Sequence, residues 1–538
     1  NGRYTRSVVA TAGGTFSTWV PLEDSLNNIY AVATSGPDTS PASNTVQTTY
    51  TNTIARTYSG TTPISTPTVW TAGSAPTYTL TGSLTINTTG ALWIQSGVTV
   101  NVSGNFKILA AGGDFFVRGT SASRVLLRPS TTACTASTPR RSDWIGIETT
   151  RVTSPQIRVG TVSTEYADVY CATNGVNFNG GTGSLRYSRF INNITGARTK
   201  GTSSTILILP MISGDNEFRG ATQGIYVDSN SRPTISGNNL ITGNTYGVYA
   251  WGVNNAVSES NPRPVINGNR LFGNSSHNVY TGNFGSNTTQ LIDAVGNWWG
   301  TADPASIATK IFDRKNSTFS PYVNFTGFLN AAGGTSAYTG TTLYQPITAT
   351  ATLAAGEYLL LGDIPVNAGV TLTLSPGVNL RSVPGGRLRV LGTLQASGTS
   401  AQRVRFASAA PYPAKNDWLG IEVLQGGTAN LNYARIEYAS NGVHFNAGQG
   451  TVKRSLIRFC AKGIYVRAKS NPAINTVNEI SNNDYGIYVE GDGAAANNPL
   501  PEATGNSLFA NAQKNYYATN FGGTTKPILI ATGNWWGT

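Results

Sequence analysis

The sequence predicts an all-β chain built as two tandem right-handed parallel β-helices, with part of an immunoglobulin-like β-sandwich at its N-terminus. Three observations lead there. Long motifs occur twice along the 538 residues. A shorter period runs inside each copy. The same turn residues fall in phase with that period.

The duplication is clearest in Gly296-Asn297-Trp298-Trp299-Gly300-Thr301, which returns as Gly533-Asn534-Trp535-Trp536-Gly537-Thr538. Asp143-Trp144-Ile145-Gly146-Ile147-Glu148 returns as Asp417-Trp418-Leu419-Gly420-Ile421-Glu422. Asn174-Gly175-Val176-Asn177-Phe178-Asn179 matches Asn441-Gly442-Val443-His444-Phe445-Asn446, and Tyr246-Gly247-Val248-Tyr249 matches Tyr485-Gly486-Ile487-Tyr488. The offset between copies is 274 at Asp143, 267 at Asn174 and 239 at Gly224. The step of 28 between the last two corresponds to about one repeat unit gained or lost. A stack of coils accepts such a change because each coil touches only its neighbours, whereas a closed barrel or sandwich does not.

Inside the first copy, Pro210-Met211-Ile212-Ser213-Gly214-Asp215-Asn216 is followed by Pro233-Thr234-Ile235-Ser236-Gly237-Asn238-Asn239 and by Pro264-Val265-Ile266-Asn267-Gly268-Asn269. The spacing is 23 and then 31 residues, the longer step reading as one coil with a loop around Val253 to Asn261. A segment of this length holds two or three short strands, none of which can bury its apolar side chains alone. Wound and stacked, each strand pairs with its equivalent roughly 4.8 Å away, and the Ile and Val positions form one core. Gly and Asn suit the left-handed turn positions. Stacked Asn side chains can bond to one another along the axis. Twenty such coils would extend roughly 100 Å.

At the N-terminus, Gly14-Thr15-Phe16, Trp19-Val20-Pro21-Leu22, Asn28-Ile29-Tyr30-Ala31-Val32-Ala33 and Thr45-Val46-Gln47-Thr48 look like the final strands of an immunoglobulin-like module. Such a module takes about 80–100 residues, and the expected organisation is 1–57 partial β module, 58–330 first β-helix copy with closing segment, and 331–538 second copy. Both ends read as lying inside a unit, as in a window on a longer multidomain protein. A strand from a neighbouring subunit could also complete the N-terminal module.

These motifs resemble the right-handed parallel β-helix repeats of the pectin-lyase-like superfamily, over about residues 58–538. The resemblance is closest to bacterial surface proteins whose repeats end in Asn-Trp-Trp-Gly followed by Asp-Pro and a closing segment. Asp303-Pro304, Ile307, Ile311-Phe312-Asp313 and Ser320-Pro321-Tyr322-Val323-Asn324-Phe325 fit that pattern. It implies the fold, and it leaves the activity open, because the superfamily includes lyases, hydrolases, epimerases and non-catalytic adhesins.

Composition narrows the function. The formal charge is +12, which favours acidic polysaccharide as a partner. Beyond Arg140-Arg141 there is no dense basic run with interleaved aromatics, so nucleic-acid binding is not expected. No apolar run of about 18 residues provides a membrane span. Three Cys residues do not make a disulfide scaffold; Cys134 and Cys171 are a candidate pair, leaving Cys460 as a small filler. Sparse Cys and much Thr, Asn and Gly suit a secreted, extracellular or cell-surface protein.

A lyase needs a base with acidic residues for charge neutralisation, and a glycosidase needs two carboxyls. The carboxyls kept at matching positions in both copies are Asp143/Asp417 and Glu148/Glu422. Arg124/Arg403 is the matching cation, and an Arg–Asp pair between coils is the simpler expectation. Asp168 and Asp228 have Arg435 and Arg467 at the equivalent places, which speaks against one active site per copy. The two His residues, His277 and His444, are non-equivalent, so no His-ligated metal and no cofactor is expected. Trp298, Trp299, Trp535 and Trp536 are candidates for stacking on sugars, or for plugging a helix end. Tyr226, Tyr249, Tyr280, Tyr465 and Tyr488 recur in phase and would form an aromatic stack with a weak carbohydrate surface. The expected function is a non-catalytic structural or adhesive segment of a bacterial surface protein — rod, stalk, sheath or fibre subunit — able to self-associate into fibres or arrays. The alternative is a polysaccharide lyase or glycoside hydrolase acting on an acidic glycan.

Overall fold

The computed structural model describes residues 10, 26–35, 38–49, 57–73, 76–130, 134, 142–154, 157–201, 209–338, 340–524 and 527–537. These fall into two compact units, Asn1–Phe284 and Gly285–Thr538. The expectations resting on Gly14 to Leu22, on Arg140-Arg141 and on Thr538 lie outside the described residues. Between 26 and 49 there are two small antiparallel pairs, Leu26–Ile29 with Val46–Thr49 and Thr34–Ser35 with Asp38–Thr39.

The rest of the first unit is a parallel β-helix with three faces. The first face runs in nine strands from Thr57–Tyr58 to Arg270–Leu271. The second runs from Leu84–Ile86 to His277–Gly282, and the third from Pro67–Trp70 to Val265–Asn267. A typical coil is Glu217–Arg219, Gln223–Asp228 and Thr234–Ser236, one strand per face. In the second unit the first, second and third faces hold eight, seven and seven strands, ending at Ser507–Phe509, Lys514–Thr519 and Glu502–Thr504.

Alternation within these strands builds the core. Ile212, Ile235 and Ile266 stand in register on the third face of the first unit and are fully buried. Phe190 and Phe218 stack on the first face with ring centroids 5.0 Å apart. Ile421, Val443, Ile464 and Ile487 form the equivalent buried row of the second unit's second face. Each such side chain contributes about 1.5–3 kcal/mol of burial.

The turns at both ends of the first face carry buried asparagine ladders. Asn216 Nδ2 donates to Asn239 Oδ1 (2.8 Å), and Asn239 Nδ2 to Asn269 Oδ1 (2.7 Å). Asn244 Nδ2 donates to Asn274 Oδ1 (3.0 Å). The second unit repeats them as Asn478 to Asn506 (2.8 Å), Asn506 to Asn534 (3.0 Å) and Asn483 to Asn511 (3.0 Å). These amides also satisfy turn backbone groups, such as Leu185 O and the Ser188 N–H around Asn216. Buried backbone polar groups therefore keep partners where the chain leaves a strand.

The 28-residue step is one coil. In the first unit Ala172–Asn179 pairs with Thr195–Lys200, which pairs with Gln223–Asp228, Thr195 standing opposite Gln223. In the second unit Ala439–Asn446 pairs directly with Lys462–Arg467, the equivalent of Gln223–Asp228. The 31-residue coil holds its extra residues between Trp251 and Val265. The sequence gives little sign of helix, but Pro304–Thr309 is a short one, and Asp303 caps it by accepting from Ala305 N and Ser306 N. The Asp-Pro pair is thus an N-cap followed by proline in the first turn.

Candidate functional site

The most distinctive surface is the outward side of the second face, where both units carry the same two-part pattern. In the first unit Glu148, Asn177, Arg198, Tyr226, Tyr249 and Tyr280 stand in one row across successive coils. In the second, Arg389, Glu422, His444, Tyr465, Tyr488 and Tyr517 do so. Each row begins polar and ends aromatic.

The polar part is an ion-pair network. Glu148 accepts from Lys107 Nζ (2.8 Å) and Asn179 Nδ2 (3.0 Å). Glu422 accepts from Arg387 Nη1 (2.8 Å) and Asn446 Nδ2 (3.2 Å). A cation and an amide thus hold each carboxylate. The Asp residues serve elsewhere. Asp417 accepts from Ser408 Oγ (2.7 Å) and Ala414 N (2.8 Å), fastening a turn. Asp143 donates its N–H to Cys171 O, and its Oδ2 is buried without a hydrogen bond among the described residues. An Arg–Asp pair between coils forms in the first copy, where Arg124 Nε binds Asp168 Oδ1 (2.6 Å) rather than Asp143, while in the second Arg403 Nη1 donates to Arg454 O (2.6 Å). Cys134 and Cys171 form a disulfide with Cα atoms 6.4 Å apart, and Cys460 is buried.

The repeated Asp-Trp-x-Gly-Ile-Glu motif is explained by a bulge. The register shifts between Gly146 and Ile147, and between Gly420 and Ile421. Both glycines have positive φ, 111° and 102°. The bulge lets Trp144 and Ile147 both point inward while Glu148 points outward. Trp144 Nε1 donates to Tyr170 O, and Trp418 Nε1 to Glu437 O.

The aromatic part is a ridge. Tyr249 and Tyr280 stack at 4.9 Å with 2° between planes, and Trp251 lies 5.8 Å from Tyr249. Tyr226 meets Tyr249 edge-on at 5.4 Å. Tyr246 meets Tyr249 at 5.1 Å and stacks on His277 at 6.3 Å. In the second unit His444 stacks on Tyr465 at 4.3 Å, Tyr465 meets Tyr488 edge-on at 5.4 Å, and Tyr488 lies 5.1 Å from Tyr517. Lys462 Nζ sits 3.9 and 4.1 Å from the Tyr465 and Tyr488 centroids, and Arg198 lies over Tyr226 at 4.9 Å.

Packing perturbs the titrations here. Burial pushes the Tyr249 hydroxyl well up, with smaller contributions from the neighbouring tyrosines. Burial and a hydrogen bond to Glu490 raise Tyr465 to about 12. Burial lowers His444 to about 3, helped by Arg467, Lys462 and Arg387. Tyr249 and Tyr465 therefore stay neutral at neutral pH, beside the cations of the ridge.

Sequence reading found Tyr226, Tyr249, Tyr280, Tyr465 and Tyr488 but missed Tyr246, Trp251, Tyr485 and Tyr517. The signal was the Tyr-Gly-x-Tyr spacing: the strand bends at Gly247, so that Gly247 and Val248 are both buried and Tyr246 and Tyr249 share the outward side. Lys107/Arg387 and Asn179/Asn446 were also legible as matched positions. Of the tryptophan candidates, Trp299 is 3% exposed and meets Phe325 edge-on at 6.3 Å, while Trp535 and Trp536 are 51% and 41% exposed. Among the described residues no cluster of His, Cys, Asp and Glu suits a metal ion, and no helix is long and apolar enough to cross a membrane.

The fold and this surface define a duplicated parallel β-solenoid with an aromatic ridge in each copy. No protein-family model matches the chain, and no curated protein matches it.

Proposed function

We propose that this chain is a non-catalytic structural or adhesive segment of a large bacterial cell-surface protein, akin to non-catalytic members of the pectin-lyase-like superfamily, and that its aromatic ridges hold an acidic glycan. The observation that carries this reading is the duplicated outward row ending in Tyr226, Tyr249 and Tyr280 and in Tyr465, Tyr488 and Tyr517. The half-exposed rings offer surface to sugar C–H groups, and the adjoining Lys462 and Arg467 offer charge to carboxylates or sulfates. The net charge of +12 acts in the same direction. The non-catalytic part rests on Glu148 and Glu422, each tied by a cation and an amide, with Arg387 held between Glu422 and Asp363.

A glycan array probed with the whole chain tests the reading. Retention of acidic polysaccharide is expected, weakened about tenfold in a Tyr249→Ala, Tyr488→Ala double variant, about the loss of one or two ring contacts. Release of unsaturated or new reducing ends from a retained polysaccharide would replace it with the lyase or hydrolase reading. Equal retention by the double variant would remove the ridge from the account.

A further inference from the structure

The additional coil of the first unit creates a pocket on a different face. At the corner leading into the first face, successive coils place Tyr166, Tyr187, Asp215 and Asn238 in the left-handed conformation, with φ of 50°, 49°, 56° and 67°, the last two each preceded by a left-handed glycine, Gly214 and Gly237 (φ 77°). The corners are bonded coil to coil, as in Tyr187 N to Gly214 O (2.7 Å) and Asp215 N to Gly237 O (2.9 Å). Tyr166 and Tyr187 stack at 4.9 Å with 12° between planes. The next corner residue is the much shorter Asp215, preceded by Gly214, so the row of rings ends in a step. A cavity of about 260 Å³ opens there, lined by Tyr187, Arg189, Asp215, Glu217, Leu240 and Arg270 among others.

The charges around it are unevenly engaged. Arg124 is fully held, with Nε on Asp168 (2.6 Å) and Nη2 on Tyr187 O (2.7 Å), and it braces the Tyr166 ring from 5.6 Å. Among the described residues Arg189, with half its side chain exposed, has only long ion pairs, 3.8 Å to Asp168 and 3.7 Å to Glu217. Arg270 reaches Asn238 O at 3.4 Å, and its Nε is buried without a hydrogen bond among the described residues. Two guanidinium groups with unused donors therefore flank a ring that is 36% exposed and the apolar Leu240. Asp215, which accepts from Asn238 Nδ2, and Glu217, which pairs with Arg219 at 3.3 Å, supply their remaining acceptors on the same wall.

We infer that this pocket binds a single sugar ring bearing an anionic substituent. Arg189 and Arg270 would take the anion, because guanidinium donors match carboxylate and phosphate geometry. Asp215 and Glu217 would accept from ring hydroxyls, with the sugar face against Tyr187 and Leu240. The volume lies just below the usual range for small-molecule pockets, about 300–1,000 Å³, which fits one sugar unit. The second unit contains an internal control. Its equivalents of Tyr187, Arg189 and Arg270 are Arg454, Leu456 and Ser507, so it has neither the ring step nor the two cations.

The inference stands apart from the aromatic ridge and is tested separately. Calorimetric titration of the whole chain would compare methyl glucuronide, glucose 1-phosphate and neutral methyl glucoside. Binding of either anionic sugar, at least about tenfold tighter than the neutral one, is expected; which of the two binds identifies the source of the anion. Arg270→Gln and, independently, Tyr187→Ser should each weaken that binding by about tenfold or more, with unchanged circular dichroism. Arg454→Gln should leave it unaltered. No binding of either anionic sugar, equal binding of the neutral one, or full binding by folded Arg270→Gln and Tyr187→Ser variants would overturn the proposal.

Discussion

Asn239 shows what one side chain does for a coil. Its Nδ2 lies within hydrogen-bond distance of Ile212 O (3.0 Å), Ser236 O (2.7 Å) and Asn269 Oδ1 (2.7 Å). Its Oδ1 accepts from the side-chain amide and the backbone N–H of Asn216. Asn239→Ala leaves several of these groups buried without partners, each costing about 1–3 kcal/mol, so a loss of about 2–5 kcal/mol is expected. A lowered urea midpoint would show it, and a loss below about 1 kcal/mol would mean that water replaces the amide. His444 makes a different prediction. Burial holds it neutral down to about pH 3, whereas the unfolded chain takes up a proton near pH 6.5. Its contribution is therefore fully present above pH 6.5 and declines as pH falls toward 3, by about 1.4 kcal/mol per pH unit. Glu422, 3.6 Å from Nδ1, opposes the decline only in part. His444→Asn, which installs the residue found at the equivalent Asn177, should lose less stability than the native chain between pH 6 and 4. Parallel acid-unfolding curves for the two would refute the assignment.

At the scale of the element, the repeated Asp-Trp-x-Gly-Ile-Glu segment was legible as a duplicated motif, but its role was not. Whether Asp and Glu five residues apart share a face depends on the bulge at Gly146 and Gly420, and the bulge depends on the partner strand. A Cβ on Gly420 would stand 1.6 Å from Asn441 O, and one on Gly146 at the same distance from Asn174 O. Gly420→Ala must therefore either flatten the bulge, turning Trp418 or Ile421 off the core, or displace the neighbouring strand. A destabilisation of about 2–4 kcal/mol is expected, with faster hydrogen exchange concentrated in Trp418–Val423 and Ala439–Asn446. Exchange unchanged in both strands would show the bulge to be dispensable. The ridge was legible for the same kind of reason that the catalytic candidates were not. Tyrosines at coil spacing announce their register, whereas the hold on Glu148 by Lys107 and Asn179 joins residues 41 and 31 positions away.

At the scale of the whole molecule, the architecture was readable because a solenoid writes its third dimension into its sequence. Equivalent residues of successive coils are neighbours, so a change of offset is a change in the number of coils. The fall in offset from 267 to 239 appears in the structure as the additional strand Thr195–Lys200 between Ala172–Asn179 and Gln223–Asp228. The immunoglobulin-like reading was harder to follow, because two of the four segments it rests on, between Gly14 and Leu22, lie outside the described residues. The coil logic also makes a prediction that a closed fold would not support. Removing residues 195–222 places Gln223 where Thr195 now pairs with Asn174, reproducing the second unit's pairing of Asn441 with Lys462. In-register stacking survives, and the stability lost is roughly that of one coil and one interface. The shortened chain should therefore fold cooperatively with an unchanged β-type circular dichroism spectrum, and should keep the ridge from Tyr226 to Tyr280. It loses Asp215 and Glu217, so it should no longer bind the anionic sugar. Aggregation or loss of the β spectrum would mean that the extra coil is required by its neighbours rather than added to them.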